Sequence, residues 1–320
     1  MKLPALKIGN LIAQIPIIQG GMAIRLSTAR LAAAVANEGG IGLIAASGMP
    51  FDELRREIRL ARKLTNNKGV VGINAMVAAR EFNGLVETAI DEGIDLVVAG
   101  AGFSRDMFSL GKNSGTPIVP IVSSVKLAKI SQSLGAAAVV VEGKEAGGHL
   151  GTDQPAFEIF PAIKQAVDIP VIVAGGIVDG YDVARAISLG ADGVQMGSRF
   201  AASEESNGAP NLKKMYLDVK PEDIVLIDSP VGYKGRAVRT PFSQLSLDGN
   251  SPKPTQCDRC LKQCSRSFCI IRALIRAQQG DIETGLVFSG ESMTRINEIL
   301  SVNEIFTRIK KQVEEYQAQT

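Results

Sequence analysis

From residue 15 to about residue 200 the chain alternates short β-branched runs with helical patterns, roughly 20 to 27 residues per pair, the spacing of βα units around a parallel sheet. Eight runs are expected to be strands: Ile15–Gln19, Ile41–Ala45, Val70–Asn74, Leu96–Ala99, Ile118–Val122, Ala138–Glu142, Val171–Ala174 and Gly193–Met196. Most are continuous apolar stretches, as expected for strands covered on both faces. Amphipathic stretches at Ser27–Asn37, Asp52–Leu64, Val125–Leu134 and Asp179–Leu189 predict helices, and Gly39, Gly135 and Gly190 follow three of them. Eight units without a break predict an α/β fold, a closed (βα)8 TIM barrel; an open doubly wound sheet is the alternative.

After Phe200 this rhythm stops. Residues 203 to 256 are dense in turn-forming Pro, Gly, Ser and Asn, followed by a cysteine cluster and a helical pattern from about Phe268 to Gln279 that ends at Gly280. Ser301 and Glu304 stand in a capping-box arrangement that opens a last helix reaching near Gln317. The organisation expected is therefore a barrel over 1–202, a loop-rich appended segment with the cysteines over 203–300, and a closing helix over 301–320 packed on the barrel.

Composition narrows the partners. Lys+Arg 35 against Asp+Glu 33 leave a formal charge of +2 in 320 residues, so no sustained positive field exists to hold a phosphate backbone, and nucleic acid is not expected. With 45% hydrophobic residues, a chain of this size buries about three quarters of its unfolded surface without staples. The start MKLPALKIGN lacks a secretory apolar region, and no apolar run reaches the ~18 residues of a membrane span. A cytoplasmic protein without membrane contact is expected.

Glycine concentrates where the strands hand over to loops, the face on which barrels bind ligands: Gln19-Gly20-Gly21-Met22, Glu145-Ala146-Gly147-Gly148-His149-Leu150-Gly151, Gly175-Gly176 and Gly197-Ser198. Glycines let main-chain N–H groups approach an anion, so Gly175, Gly176, Gly197 and Ser198 form a candidate phosphate cradle, with tight βα turns as the plainer reading. Asn74 offers both a donor and an acceptor to a ring edge, or else serves as a turn residue. His149 is the single histidine of the chain and so the leading candidate for proton transfer near neutral pH, against a merely structural role.

All four cysteines fall in one segment, Cys257-x2-Cys260-x3-Cys264-x4-Cys269. In a reducing compartment such a cluster reads as metal ligands before disulfides, and its compact steps favour a [4Fe–4S] cluster over zinc, with no metal as the third reading. The surrounding Arg259, Lys262, Arg266, Arg272 and Arg276 read first as a solvated helix face. Arg236 and Arg239 read either as a site for a phosphate or carrier-protein group or as parts of a turn-rich surface loop.

The runs IPIIQGGMA, EGGIGLIAA, GIN at 72–74, EAGGHLG at 145–151 and IPVIVAGGIVDGYDVARAISLGADGVQMGSRFAASEES at 169–206 resemble the nitronate monooxygenase family, formerly 2-nitropropane dioxygenase, which includes the flavin-dependent enoyl-acyl-carrier-protein (enoyl-ACP) reductases of type II. The resemblance implies an FMN-binding (βα)8 barrel. By motif position Gly21 and Met22 would line the flavin, Asn74 would bond the flavin or its ribityl chain, and Glu142, Gly147 and Gly148 would flank it. Gly175, Gly176, Gln195, Met196, Gly197 and Ser198 would stand at its phosphate end, and His149 would face it as acid or base. The activity implied is FMN-dependent oxidation of an alkyl nitronate. The alternatives are an NAD(P)H-dependent enoyl-ACP or enoyl thioester reductase fed through an iron–sulfur cluster and, from another class, a noncatalytic metal-binding interaction protein. A homodimer is among the assemblies expected. The spacing of the first three cysteines is also similar to the iron–sulfur motif of flavoenzymes of the 2,4-dienoyl-CoA reductase type, although the fourth cysteine arrives sooner.

Overall fold

The computed structural model describes residues 3–22 and 24–319; residues 1, 2, 23 and 320 of the ranges and runs above lie outside the described residues. Its strands are β1 (Leu6–Ile8), β2 (Leu11–Ala13), β3 (Ile17–Gln19), β4 (Ile41–Ala45), β5 (Val70–Met76), β6 (Leu96–Gly100), β7 (Ile118–Val122), β8 (Val139–Glu142), β9 (Gly148–Leu150), β10 (Val171–Ala174), β11 (Gly193–Met196), β12 (Ile224–Asp228) and β13 (Lys234–Val238). The barrel closes in the order β10-β11-β3-β4-β5-β6-β7-β8, all parallel, with β8 completing the ring on β10 through Val171↔Val139 to Ala174↔Glu142. The eight expected strands are the eight barrel strands. Every residue of β4 and β6 is buried, because the barrel interior covers one face and the outer helices the other.

Side chains alternate between these two sides. Ile18, Leu43, Leu96, Val98, Val119, Val140 and Ile172 fill the interior, while Ile17, Val139, Val141, Val173 and Val194 face the helices. The hairpin β1–β2 adds Leu6, Ile8 and Ala13 to the interior cluster. No sequence expectation covered this hairpin, since three-residue strands carry too little periodicity; its Gly9-Asn10 turn, with Gly9 at φ 57°, was the available signal.

The segment after Phe200 is more regular than its composition suggests. Helices Pro210–Asp218 and Pro241–Leu247 start on proline, which suits a first helical turn whose N–H has no intrahelical partner. Thr240 and Ser243 add a reciprocal cap. The turn-forming residues here thus begin elements as well as connect them. The hairpin β12–β13 continues into β9 of the barrel rim by Gly235↔His149 and Arg236↔Gly148. The final helix, Val302–Gln319, opens on Ser301, whose N–H donates to the Glu304 carboxylate while its hydroxyl accepts from the Glu304 N–H. It buries Ile305, Phe306, Ile309 and Val313 against the outer layer, and Gly180 lies so close beneath it that a Cβ there would stand 2.4 Å from the Ile309 carbonyl oxygen.

Candidate active site

The C-terminal ends of the barrel strands surround a cavity with about 240 Å³ open to the centres of water molecules. Gly21 and Met22 reach it from β3, Asn74 from β5, Glu142 from β8 and Gln195 from β11. Gly147, Gly148 and His149 line it on β9 and the turn before it, Gly175 and Gly176 follow β10, and Gly197 and Ser198 follow β11. Of the residues given a flavin-binding or proton-transfer role in the sequence, Met196 alone does not line the cavity. One position past the inward-facing Gln195, it points outward into the helix layer, fully buried, by the period of two along a strand.

The glycines set the shape of the wall. A Cβ on Gly21 would stand 2.2 Å from the Asn74 Cβ, so only glycine lets the first loop lie flat on strand β5. Gly175 and Gly176 turn at φ 103° and 76°, while a Cβ on Gly197 would meet only the Met22 sulfur, at 3.9 Å, and would otherwise enter open space. No Lys or Arg lines the cavity among the described residues, so an anion bound here is held by main-chain N–H groups. Gln195 keeps its Oε1 buried without a hydrogen-bond partner. An unpaired buried acceptor and a side-chain-free cradle with room beyond Gly197 suit a ligand with a donor edge and an anionic tail, so these residues fit the flavin mononucleotide implied by the resemblance.

Two ionisable groups share the cavity. His149 Nε2 lies 2.8 Å from Ser229 Oγ, and the imidazole packs against the Phe288 ring at 5.3 Å and 75°. Burial pushes the imidazole down to about 4, so it is neutral at physiological pH. Glu142 has no hydrogen bond to its carboxyl among the described residues, and burial pushes it up to about 7. Glu145, by contrast, accepts from the Ala156 N–H at 3.1 Å and so holds the turn between β8 and β9.

The sequence did not single out the contribution of the appended segment. Ser229, after β12, bonds the histidine, and Gly290 donates its N–H to Ser198 Oγ at 3.1 Å. Helix Ile270–Gln278 brings Ile270, Ile271 and Leu274 to the cavity as an apolar wall, joined by Met293 and Tyr216. The helical period of that segment was the only signal. Arg236 is buried in β13 and donates to the Lys144 carbonyl at 2.7 Å, which takes it out of any surface loop, whereas Arg239, just past β13, is exposed and donates to Gln244 Oε1 at 2.6 Å.

The four cysteines are reduced; Cys257 and Cys264 are exposed, Cys260 and Cys269 half-buried. Burial first, then the neighbouring Cys269, Cys264 and Cys257, push the Cys260 thiol up to about 11. Among the described residues no group of three or more His, Cys, Asp or Glu is arranged to hold a metal ion, so the expected ligand set is not closed in the chain alone. The reason is local: the loop hangs on its two half-buried cysteines while the other two face solvent. No helix among the described residues is long and apolar enough to cross a membrane.

Comparison with known proteins agrees with this geometry. The (3aS,4S,5R,7aS)-5-hydroxy-7a-methyl-1-oxo-octahydro-1H-indene-4-carboxyl-CoA dehydrogenase of Rhodococcus jostii is 32% identical over 238 residues, 74% of this chain and 66% of that protein, just under two thirds of its length. A probable nitronate monooxygenase of Staphylococcus aureus is 30% identical over 71% of this chain and 76% of its own. The solved structure of FabK from Thermotoga maritima superposes with a TM-score of 0.86 at 35% identity, covering 95% of this chain and 94% of that one. The family model described as nitronate monooxygenase matches residues 5–89 and 68–312, reaching through the barrel and the appended segment alike. The chain belongs to the nitronate monooxygenase family.

Proposed function

We propose that the protein is an FMN-dependent oxidoreductase that reduces an enoyl thioester at the expense of NAD(P)H. The observation that carries this reading is the coexistence, in one cavity, of a neutral imidazole, a glycine cradle and the apolar wall Ile270, Ile271 and Leu274. An acyl chain buries apolar surface against such a wall, worth about 0.8 kcal/mol per methylene, whereas a small nitronate gains little from it. The likeness to FabK over nearly the whole of both chains and the carboxyl-CoA substrate in the name of the Rhodococcus relative support a thioester.

FMN bound in this cavity would supply the hydride. The main-chain N–H groups of Gly175, Gly176, Gly197 and Ser198 would hold its phosphate, and Gln195 and Asn74 would bond its polar edges. Ser229 occupies His149 Nε2, which leaves Nδ1 to face substrate. From there the neutral imidazole would donate a hydrogen bond that polarises the thioester carbonyl. Helix Ile270–Gln278 excludes water from the reacting atoms. Met196, expected at the phosphate end, would act there only through its carbonyl, which accepts the Gly20 N–H at 2.9 Å.

Oxidation of an alkyl nitronate is the second reading. It is favoured by the same low basicity threshold of His149, an imidazole free to take a proton at any pH above about 5, and by the Staphylococcus relative. Anaerobic mixing of the flavin-loaded protein with NADH, NADPH and a nitronate separates the two. Bleaching of the flavin by a pyridine nucleotide, reversed by an enoyl-CoA, is the expected result; bleaching by nitronate alone overturns the reductase. A cytoplasmic homodimer is the setting proposed with either reading.

A further inference from the structure

The four cysteines are not explained by packing. An unpaired cysteine is ordinarily among the most buried of residues, yet here Cys257 and Cys264 are exposed, and the chain places no cysteine anywhere else. We infer that Cys257, Cys260, Cys264 and Cys269 bind a [4Fe–4S] cluster at the wall of the cavity. This goes beyond the proposed function and stands or falls separately from it.

The backbone of the loop repeats one device. Arg259 and Arg266, each two residues after a cysteine, adopt left-handed conformations at φ 51° and 58°, which side chains other than glycine resist. At the second of these turns the gain is visible: the Arg266 N–H points back and donates to Cys264 Sγ at 3.4 Å.

The chemistry of the neighbourhood leaves sulfur as the only ligand. The nearby carboxylate, Asp258, is taken by Arg272 at 3.0 Å, and the single histidine is engaged by Ser229. Arg259 and Arg266 have no ion pair among the described residues, and Lys262 stands over the Phe82 ring, so positive charge is available to offset an anionic tetrathiolate centre. Ligands of this softness select iron–sulfur or zinc, and the two-, three- and four-residue steps suit wrapping one cluster better than the two separated pairs usual for zinc.

Half of the site is already fixed. The Cys260 carbonyl accepts the Arg80 N–H at 2.9 Å, Lys262 N–H donates to Ala78 at 2.9 Å, and Leu261 is buried with Phe242 and Phe268. Cys269 stands at the start of helix Ile270–Gln278, directly before the cavity-lining Ile270. Cys257 and Cys264 complete the set when the metal draws them in, as metal binding closes a loop that is open without it. The centre then sits against the helix that walls the cavity.

The test is metal and sulfide analysis of the full chain, purified and reconstituted without oxygen using ferrous iron and sulfide. The expected result is about four iron and four sulfide per chain, with a broad visible absorption that fades and a paramagnetic signal that appears on reduction by dithionite. Cys257→Ser and Cys264→Ser change exposed side chains, and each is expected to lower the iron content at least twofold without altering the melting temperature of the metal-free chain. One zinc per chain in place of iron and sulfide overturns the cluster, as do four freely titrating thiols after reconstitution. The flavin content of the same sample reports on the proposed function independently.

Discussion

His149 Nε2 and Ser229 Oγ lie 2.8 Å apart across 80 residues of sequence, and the strand pair β9–β13 that brings them together crosses from the barrel rim to the appended segment. The orientation of the only imidazole is therefore set by the part of the chain that does not belong to the barrel repeat. Ser229→Ala is expected to lower kcat about fivefold, the net worth of one hydrogen bond of ~1 kcal/mol, with flavin content unchanged. His149→Gln removes the acid–base group itself and is expected to cost about 10²- to 10⁴-fold in kcat. Steady-state kinetics of both variants with the flavin quantified would check the order.

The two cavity groups pull stability in opposite directions with pH. Burial keeps His149 neutral down to about 4, so unfolding takes up a proton between about 4 and the usual 6.5, and stability rises with pH across that window. Glu142 keeps its proton up to about 7, so unfolding releases one above 4.5, and stability falls as pH rises from 4.5 to 7. Glu142→Gln is expected to raise the melting temperature at pH 8 more than at pH 5, and to remove an inflection near pH 7 from the kcat/KM profile. An equal gain at both pH values would contradict the protonated carboxyl.

Gly197 separates binding from folding. Because a Cβ there meets only the Met22 sulfur at 3.9 Å, Gly197→Ala is expected to leave the melting temperature of the flavin-free chain within about 1 °C, since an unstrained substitution costs under ~0.5 kcal/mol. The methyl group would enter the cradle, and flavin affinity is expected to fall at least tenfold by fluorescence titration. Gly21→Ala, which would collide with Asn74 at 2.2 Å, is expected to reduce both.

Leu274, on the wall helix, tests the substrate. Leu274→Ala removes apolar surface from the cavity and is expected to raise KM for long-chain enoyl thioesters about tenfold while leaving KM for a four-carbon substrate within about twofold. A uniform change across chain lengths would separate this wall from the acyl group.

The barrel was legible because most of its strands are runs of apolar residues such as Ile41–Ala45 and Ile118–Val122, buried on two faces, separated by helices long enough to show their period. Glycine marked the strand ends for the same local reason: Gly175 and Gly176 need backbone angles that other residues resist, and that requirement is written in the residue type. The hairpin Leu6–Ala13 and the prolines at the heads of the later helices were less legible, since three-residue strands and turn-forming residues look alike in one dimension.

Sequence by itself determined the eightfold repeat, the rim of glycines and the lone histidine among them, all consequences of local conformational preference and of burial along a few neighbouring residues. Tertiary structure alone decided that Ser229 holds His149, that Ile270 and Leu274 wall its cavity, and that Met196 turns away while Gln195 faces in. Such contacts join residues far apart in the chain, and they are fixed by how packed layers meet, which no short window of sequence encodes.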